Sequence, residues 1–389
     1  MRIVLFSHDS AGLGHIRRNL ALAHALTAGA SEPVTGLLVA GRPEATRFRP
    51  PRGWDWLVLP GVRHAASGYA LRELGIGLDE AAALRGGAFR AAVTAFAPDL
   101  VIVDRHPLGV ARELEDGLRA LRAEHPECRI VLGLRDVLDA PAAAAEEWRA
   151  VGGARTIRAL FDAIWVYGDP RVHDLAASGE LPAGLRDLVS HTGYLAAGRV
   201  DGHEHAVEAP YVLTTVGGGS DGADLAAAAA AAPVPAGMRH LVVTGPQMSA
   251  ADRRRVQDAA GGGAEVVRRV PDALPLIRHA SAVVCMGGYN TVCEVMSTDT
   301  PALVAPRRQR RAEQGIRAGA LERAGAIEIL SPWDVSPAAI GRWLSANAGR
   351  SVSRAAVALD GLARIPDLAA ATRLRKPVSH VREGESVAV

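Results

Sequence analysis

The run Ser10-Ala11-Gly12-Leu13-Gly14-His15 follows an apolar stretch and opens a segment with helical spacing. An imidazole titrates near neutral pH and can take a proton from a hydroxyl. His15 in this place reads equally as such a base or as a residue packed on a turn, and His8 and Asp9 lie at the same strand end. Gly12 and Gly14 let the backbone approach a ligand, and the free N–H groups of a helix start favour a polar or anionic one. A dinucleotide fingerprint needs a third glycine three residues after Gly14, but Arg17 stands there, so the full pattern is missing.

Two further groups repeat the arrangement. Asp104-Arg105-His106-Pro107 and Gly133-Leu134-Arg135-Asp136 each follow an apolar run, so both emerge at the carboxyl edge of a sheet. Each alone fits a polar loop. Together they suggest an acceptor site lined by Gly12, Gly14, His106 and Arg135, with His15 as the preferred base and Asp104 or Asp136 as its alternatives.

The later half offers anion-binding turns instead. Thr214 to Gly222 runs a strand into a loop with Gly217, Gly218, Gly219 and Ser220, and so many glycines are costly in chain entropy unless the backbone must wrap a phosphate. The lysine of a phosphate-binding loop is absent, which argues against ATP hydrolysis. Val283 to Glu294 gives a second strand, a Gly287-Gly288 turn and a helix containing Asn290 and Thr291. Thr291 and Glu294 match a helix capping box; the same carboxylate is also suited to grip ribose hydroxyls, and both readings stand. Downstream, Pro306 to Gln314 carries four arginines in five positions, either a phosphate partner or a solvated face, with Gln314 placed for recognition at a helix start.

The elements needed to position these residues are legible as alternating short apolar runs and longer segments of three- and four-residue spacing. Strands are expected near 2–6, 35–40, 56–59, 100–104, 129–133 and 163–166, then near 211–215, 240–244, 265–267, 282–286, 302–304 and 327–329. Helices are expected over 15–28, 79–96 and 110–124. This pattern predicts two α/β domains, 1–196 and 211–365, with a linker at 197–210 and a patternless tail at 366–389. His203 and His205 in the linker lack further ligands at metal-binding spacing, so no metal is expected.

Hydrophobic residues make up 49% and charged residues 22%, enough apolar surface for two cores. With 44 basic against 42 acidic residues the formal charge is +2, which gives no reason to invoke nucleic acid. No apolar stretch reaches the roughly 18 residues of a spanning helix and no secretory leader is visible, so at most a peripheral membrane contact is expected. Three cysteines without metal spacing read as reduced thiols, and the cytoplasm is the expected compartment.

Taken together these stretches resemble the GT-B glycosyltransferases, most closely the MurG-like group. The resemblance rests on Gly287-Gly288-Tyr289-Asn290-Thr291 with Glu294, the Pro301-Ala302-Leu303 turn, and Glu313-Gln314 before Arg317-Ala318 and Leu321. Asp104-Arg105-His106-Pro107 and Tyr167-Gly168-Asp169-Pro170 are similar to a set of predicted bacterial glycosyltransferases. The resemblance implies two Rossmann-like doubly wound parallel-sheet domains facing across a cleft. It implies an inverting transfer without metal, from a nucleotide-sugar donor, UDP before dTDP or GDP, to a hydroxyl acceptor that is a small molecule, a glycan or lipid-linked. Glu294 would then hold the ribose, Gln314 the sugar, Gly217 to Gly219 and Gly287-Gly288 the diphosphate, and Val270 would line the base. No cofactor is implied, because the nucleotide-sugar is itself a substrate. The first glycine loop is poorer in glycine than in the lipid-intermediate enzyme, and Arg307 to Arg311 has no close counterpart there. A sugar-nucleotide 2-epimerase and a non-catalytic nucleotide-sugar-binding protein are the alternatives.

Overall fold

The computed structural model describes residues 1–8, 12–65, 68–200, 210–308 and 311–374. Asp9, Ser10, the linker histidines His203 and His205, and Gln309 and Arg310 lie outside the described residues.

The first domain is built on β1 (Arg2–Phe6), β2 (Thr35–Ala40), β3 (Trp54–Val58), a hairpin of β4 (Val62–Ala65) and β5 (Gly68–Leu71), then β6 (Leu100–Asp104), β7 (Arg129–Arg135), β8 (Ala163–Tyr167) and β9 (Val189–His191). Seven of these form a parallel sheet in the order β3-β2-β1-β6-β7-β8-β9. Leu100 to Asp104 and Ala163 to Tyr167 are buried throughout, as strands covered on both faces must be, and this explains their near-continuous apolar sequence. Helices α1 (Gly14–Ala28), α2 (Leu78–Phe96), α3 (Glu115–Glu124), α4 (Pro141–Ala150) and α5 (Gly153–Leu160) cover the sheet.

The second domain repeats the plan with β10 (Tyr211–Thr215), β11 (Arg239–Val243), β12 (Glu265–Val267), β13 (Ala282–Cys285), β14 (Ala302–Val304) and β15 (Glu328–Ile329), in the parallel order β12-β11-β10-β13-β14-β15. Its helices are α6 (Ala223–Ala230), α7 (Ala250–Ala260), α8 (Leu274–His279), α9 (Tyr289–Met296), α10 (Glu313–Arg323), α11 (Pro337–Asn347) and α12 (Gly361–Leu374).

In both sheets the chain direction of travel reverses at the centre, between β1 and β6 and between β10 and β13. Ligands collect at the carboxyl ends of strands beside such a switch point. The turns that follow these four strands are those carrying Gly12–Gly14, Asp104–His106, Gly217–Gly219 and Gly287–Gly288. Topology alone therefore brings the sequence motifs to two facing crevices.

Three expectations are corrected. The helix expected over 110–124 begins at Glu115, because Ala111 and Arg112 take positive φ values of 47° and 62° while the Glu113 carboxylate accepts the Val110 N–H. The β4–β5 hairpin was not expected from the pattern, since its paired run Val62–Ala65 and Gly68–Leu71 includes Arg63, His64 and Gly68 and shows no clean alternation. The chain after Pro366 is not patternless: α12 continues through that proline to Leu374. Leu362, Ile365 and Ala369 join the core that also holds Leu22 and Leu26 of α1, and this apolar packing outweighs the hydrogen bond a proline removes. A Cβ at Gly29 would lie 2.4 Å from the Pro366 ring, and Arg373 reaches Glu32 at 3.0 Å. Helix α12 thus straps back onto the first domain.

Candidate active site

His15 is the second residue of α1 and Asp104 the last of β6, so the switch point of the first sheet brings them together. The His15 Nδ1 lies 2.9 Å from Asp104 Oδ2. Arg18, one turn along the same helix, donates through Nη2 to both Asp104 oxygens at 2.7 and 2.6 Å. Burial works against ionising Asp104, but the Arg18 and His15 neighbours outweigh it and hold the carboxyl down at about 2. Arg18 Nη2 also lies 3.0 Å from His15 Nδ1, but that nitrogen of Arg18 already donates to Asp104 and the carboxylate can only accept, so the proton of the His15–Asp104 contact is assigned to Nδ1 and Nε2 keeps its lone pair. Burial pulls His15 down to about 4 despite Asp104, and the imidazole is neutral at pH 7.

This arrangement corrects the two alternative bases. Asp104 is fully buried and its oxygens are occupied by Arg18 and His15, so it orients the imidazole. Asp136 is also fully buried and is gripped by Arg317 of α10 at 2.7 to 2.9 Å, a bidentate pair that joins the two domains.

His106 stacks against His8 at 3.9 Å between ring centroids, and His8 meets His15 at 5.7 Å. Burial, then the fields of His8 and Arg105, hold His106 well below its ordinary range. The three rings of His8, His15 and His106 line one wall of the cleft. Arg135, at the end of β7, completes it; burial and then the Arg317 and Arg105 charges pull its guanidinium down to about 9.

Across the cleft, Gly217 and Gly219 take positive φ values of 61° and 88°. A Cβ on Gly219 would lie 2.1 Å from the Thr244 carbonyl oxygen, so only glycine permits this turn. Gly217, Gly218 and Ser220 face solvent, and the Ser220 hydroxyl bonds to Asp221 at 3.1 Å. The Gly287-Gly288 turn feeds α9, whose N-cap is Gly288. A Cβ on Gly287 would lie 3.1 Å from the Gln314 carbonyl oxygen and 3.2 Å from the Gln314 Cβ, while the Gln314 Oε1 accepts from the Arg307 N–H at 3.1 Å.

The capping-box reading of Thr291 and Glu294 does not apply. With Gly288 as N-cap, Thr291 falls inside the helix, and the Glu294 carboxylate turns to the other domain. It accepts from Arg17 Nη2 of α1 at 2.7 Å, lies 3.6 Å from Arg199, and is 2% exposed. Asn290 Nδ2 donates to the Gly14 carbonyl at 2.8 Å, so the first glycine loop abuts the start of α9. Val270, just ahead of α8, packs on the apolar core shared by the domains.

Of the described arginines in the run, Arg307 and Arg311 are part-buried in ion pairs and Arg308 is exposed. Arg307 joins Asp221 at 3.1 Å to Glu313 at 2.6 Å, Arg308 lies over the Trp333 ring at 5.0 Å, and Arg311 reaches Glu147 at 3.0 Å. Several cleft residues escaped the sequence reading. Arg18 sits three residues after His15, a spacing that places both on one helix face. Arg17 was noted only as an interruption of the glycine pattern. Glu313 was grouped with Gln314 but given no role; it is buried, and its Oε2 has no partner among the described residues.

Comparisons with known proteins follow this geometry. Residues 213–346 match the glycosyltransferase family 28 C-terminal domain. An uncharacterised glycosyltransferase of Methanosarcina mazei is 25% identical over 150 residues, and the match spans only 38% of that relative's length and 38% of this chain. Among solved structures, the glycosyltransferase of kitacinnamycin superposes with a TM-score of 0.57 at 15% identity, over 96% of each chain. MurG of Acinetobacter baumannii gives 0.54 at 14% identity, over 97% of this chain and 96% of that one. Phytolacca americana UGT2, solved with UDP-2-fluoroglucose and pterostilbene, gives 0.57 at 14%, over 95% and 94%. Among the described residues no helix is long and apolar enough to cross a membrane. The chain has the GT-B glycosyltransferase fold, and its residues 213–346 match the glycosyltransferase family 28 C-terminal domain.

Proposed function

We propose that the protein is an inverting, metal-independent glycosyltransferase, moving a sugar from a nucleoside diphosphate donor, UDP by preference, to a hydroxyl acceptor. The observation that carries this reading is the Asn290–Gly14 contact of 2.8 Å, which sets the part-buried His15, backed by the buried Asp104, against the start of α9 across one cleft. On this reading the acceptor hydroxyl gives its proton to His15 Nε2 as its oxygen forms the new bond to the anomeric carbon. The bond from that carbon to the diphosphate breaks, and its electron pair leaves with the nucleotide. Asp104 keeps the Nδ1 tautomer and stabilises the imidazolium as it forms.

The leaving charge falls on the N–H groups of the Gly217–Gly219 loop and the first turn of α9. The sequence contains no Asp-x-Asp pair to bring a divalent ion to the diphosphate, which supports transfer without metal. Glu294 exchanges Arg17 for the ribose hydroxyls, and the orphaned Glu313 Oε2 with Gln314 receives the sugar hydroxyls. UDP is the preferred nucleotide because of the earlier resemblance. The free thiols Cys128, Cys285 and Cys293 are consistent with a cytoplasmic setting.

The test is nucleotide release from UDP-sugars with and without hydroxyl acceptors. Transfer requires acceptor-dependent release of UDP, and His15→Ala lowers turnover by about 10²–10⁴ with donor affinity retained. Conversion of the donor sugar without acceptor would instead show an epimerase, and unchanged turnover in His15→Ala would remove the base.

A further inference from the structure

The wall of the cleft beside His15 holds more guanidinium than carboxylate, and the excess falls on Arg135. β7 lies next to β6, with Asp104 opposite Gly133, and the Arg105 N–H donates to the Gly133 carbonyl at 2.8 Å. Arg135 therefore ends its strand alongside the Asp104–His106 turn. The surrounding arginines are committed. Arg18 is tied to Asp104 and Arg317 to Asp136, each through a buried carboxylate. Arg105 and Arg311 share the single carboxylate of Glu147, at 2.5 and 3.0 Å.

Arg135 alone of this group makes no side-chain hydrogen bond or ion pair with any described residue, and its Nε is shut off from solvent without an acceptor. A guanidinium withdrawn from water without a counter-charge is costly, and proteins normally pair it. The Glu313 carboxylate at the start of α10 favours the Arg135 charge, but no ion pair forms between them. One Glu313 oxygen holds Arg307 at 2.6 Å and the other, Oε2, is buried without a partner among the described residues. Burial and the Arg317 and Arg105 charges pull the guanidinium down to about 9, more than Glu313 restores. The fixed fork of an arginine suits a carboxylate or phosphate held by two parallel bonds.

Resting on the transfer reading above, we propose that Arg135 seats an oxyanion group, carboxylate or phosphate, carried by a substrate that reacts at His15. Two substrates could bring it: the transferred sugar, as a uronic acid, or the acceptor. Arg135 ends the acceptor-side strand beside the Asp104–His106 turn and feels the Glu313 charge at the start of α10, so both substrates are tested. The diphosphate is assigned elsewhere, to the Gly217–Gly219 loop and α9.

The full-length protein is titrated by calorimetry with UDP, UDP-glucose and UDP-glucuronate, and its thermal midpoint is followed with phenyl phosphate and benzoate, each with and without UDP. Wild type is compared with Arg135→Gln and Arg135→Lys. If the sugar carries the anion, UDP-glucuronate binds about tenfold more tightly than UDP-glucose, Arg135→Gln abolishes that preference, and Arg135→Lys restores part of it. If the acceptor carries it, the two donors bind alike, while phenyl phosphate or benzoate raises the midpoint of wild type and not of Arg135→Gln. The proposal is overturned if neither preference nor anion response depends on Arg135, or if Arg135→Gln weakens UDP itself, which would make it a diphosphate contact. Failure of every nucleotide to bind would remove the donor reading, and the anion response in the absence of UDP would still decide the role of Arg135.

Discussion

Asp104→Asn separates the catalytic account from a merely structural one. The carboxylate takes two bonds from Arg18 Nη2 and one from His15 Nδ1, all between 2.6 and 2.9 Å, and is fully buried. An amide keeps the shape but offers one oxygen where two were used. If that oxygen stays with Arg18, the new NH₂ group faces His15 Nδ1 and forces it to accept, which moves the ring proton to Nε2 and removes the base. By analogy with other carboxylate-to-amide changes behind a catalytic histidine, turnover should fall by about 10²–10⁴. The same substitution leaves Arg18, 2% exposed, without a counter-charge, and breaking such a buried pair costs about 3–5 kcal/mol. Urea unfolding measures the second effect and UDP release, assayed well below the unfolding midpoint, the first. Donor affinity is expected to hold, because Asp104 lies on the acceptor-side sheet. Turnover within threefold of wild type, in folded protein, would refute the tautomer argument; a parallel loss of donor affinity would refute the division of labour between the domains.

The other predictions concern pH and the domain junction. Because His15 is held at about 4, its base form is complete above roughly pH 5, so turnover should be flat from pH 8 to near 5 and fall below that; a limb centred near 6.5 would mean an ordinary, solvated imidazole. The linked stability effect has the same sign. A depressed folded pKa means the unfolded chain binds the proton first, so this contribution is present above about 6.5 and is lost as pH falls toward 4, checked by midpoint against pH. Asp136→Ala strands the fully buried Arg317 between the domains and should cost about 3–5 kcal/mol by denaturant titration; a loss below about 1 would show that the junction relaxes around it. Arg17→Ala removes the guanidinium that occupies Glu294 at 2.7 Å and should tighten UDP binding several-fold by calorimetry; weaker binding would make Arg17 a donor ligand instead.

Strands and their ends were legible because buried parallel strands must be almost wholly apolar, and β1, β2, β6, β10, β12 and β14 lie where that pattern put them. Motifs at those ends followed, since a βαβ chain has no other place for a Gly-Gly turn before a helix. What the sequence concealed were pairings made across the fold. Separations of 181 positions for Asp136–Arg317 and 277 for Arg17–Glu294, both across the two domains, leave no local spacing to read, so Asp136 looked like a base and Arg17 like a defect. The Thr291–Glu294 spacing fits a capping box, yet Gly288 is the cap, because the strand delivers the chain to the helix three residues earlier. The helix through Pro366 was hidden for the opposite reason: its stability comes from α1, far away in sequence, and propensity at a proline says only that a helix should end.

The central claim is that the later domain grips a nucleoside diphosphate with Glu294 on the pentose. Isothermal titration of UDP into wild type and Glu294→Ala, repeated with GDP and dTDP, tests it most directly. The account predicts saturable binding of UDP by wild type and a loss of at least about tenfold in Glu294→Ala, the scale of a charge-assisted hydrogen bond. No binding of any of the three nucleotides, or equal binding by the variant, would contradict it.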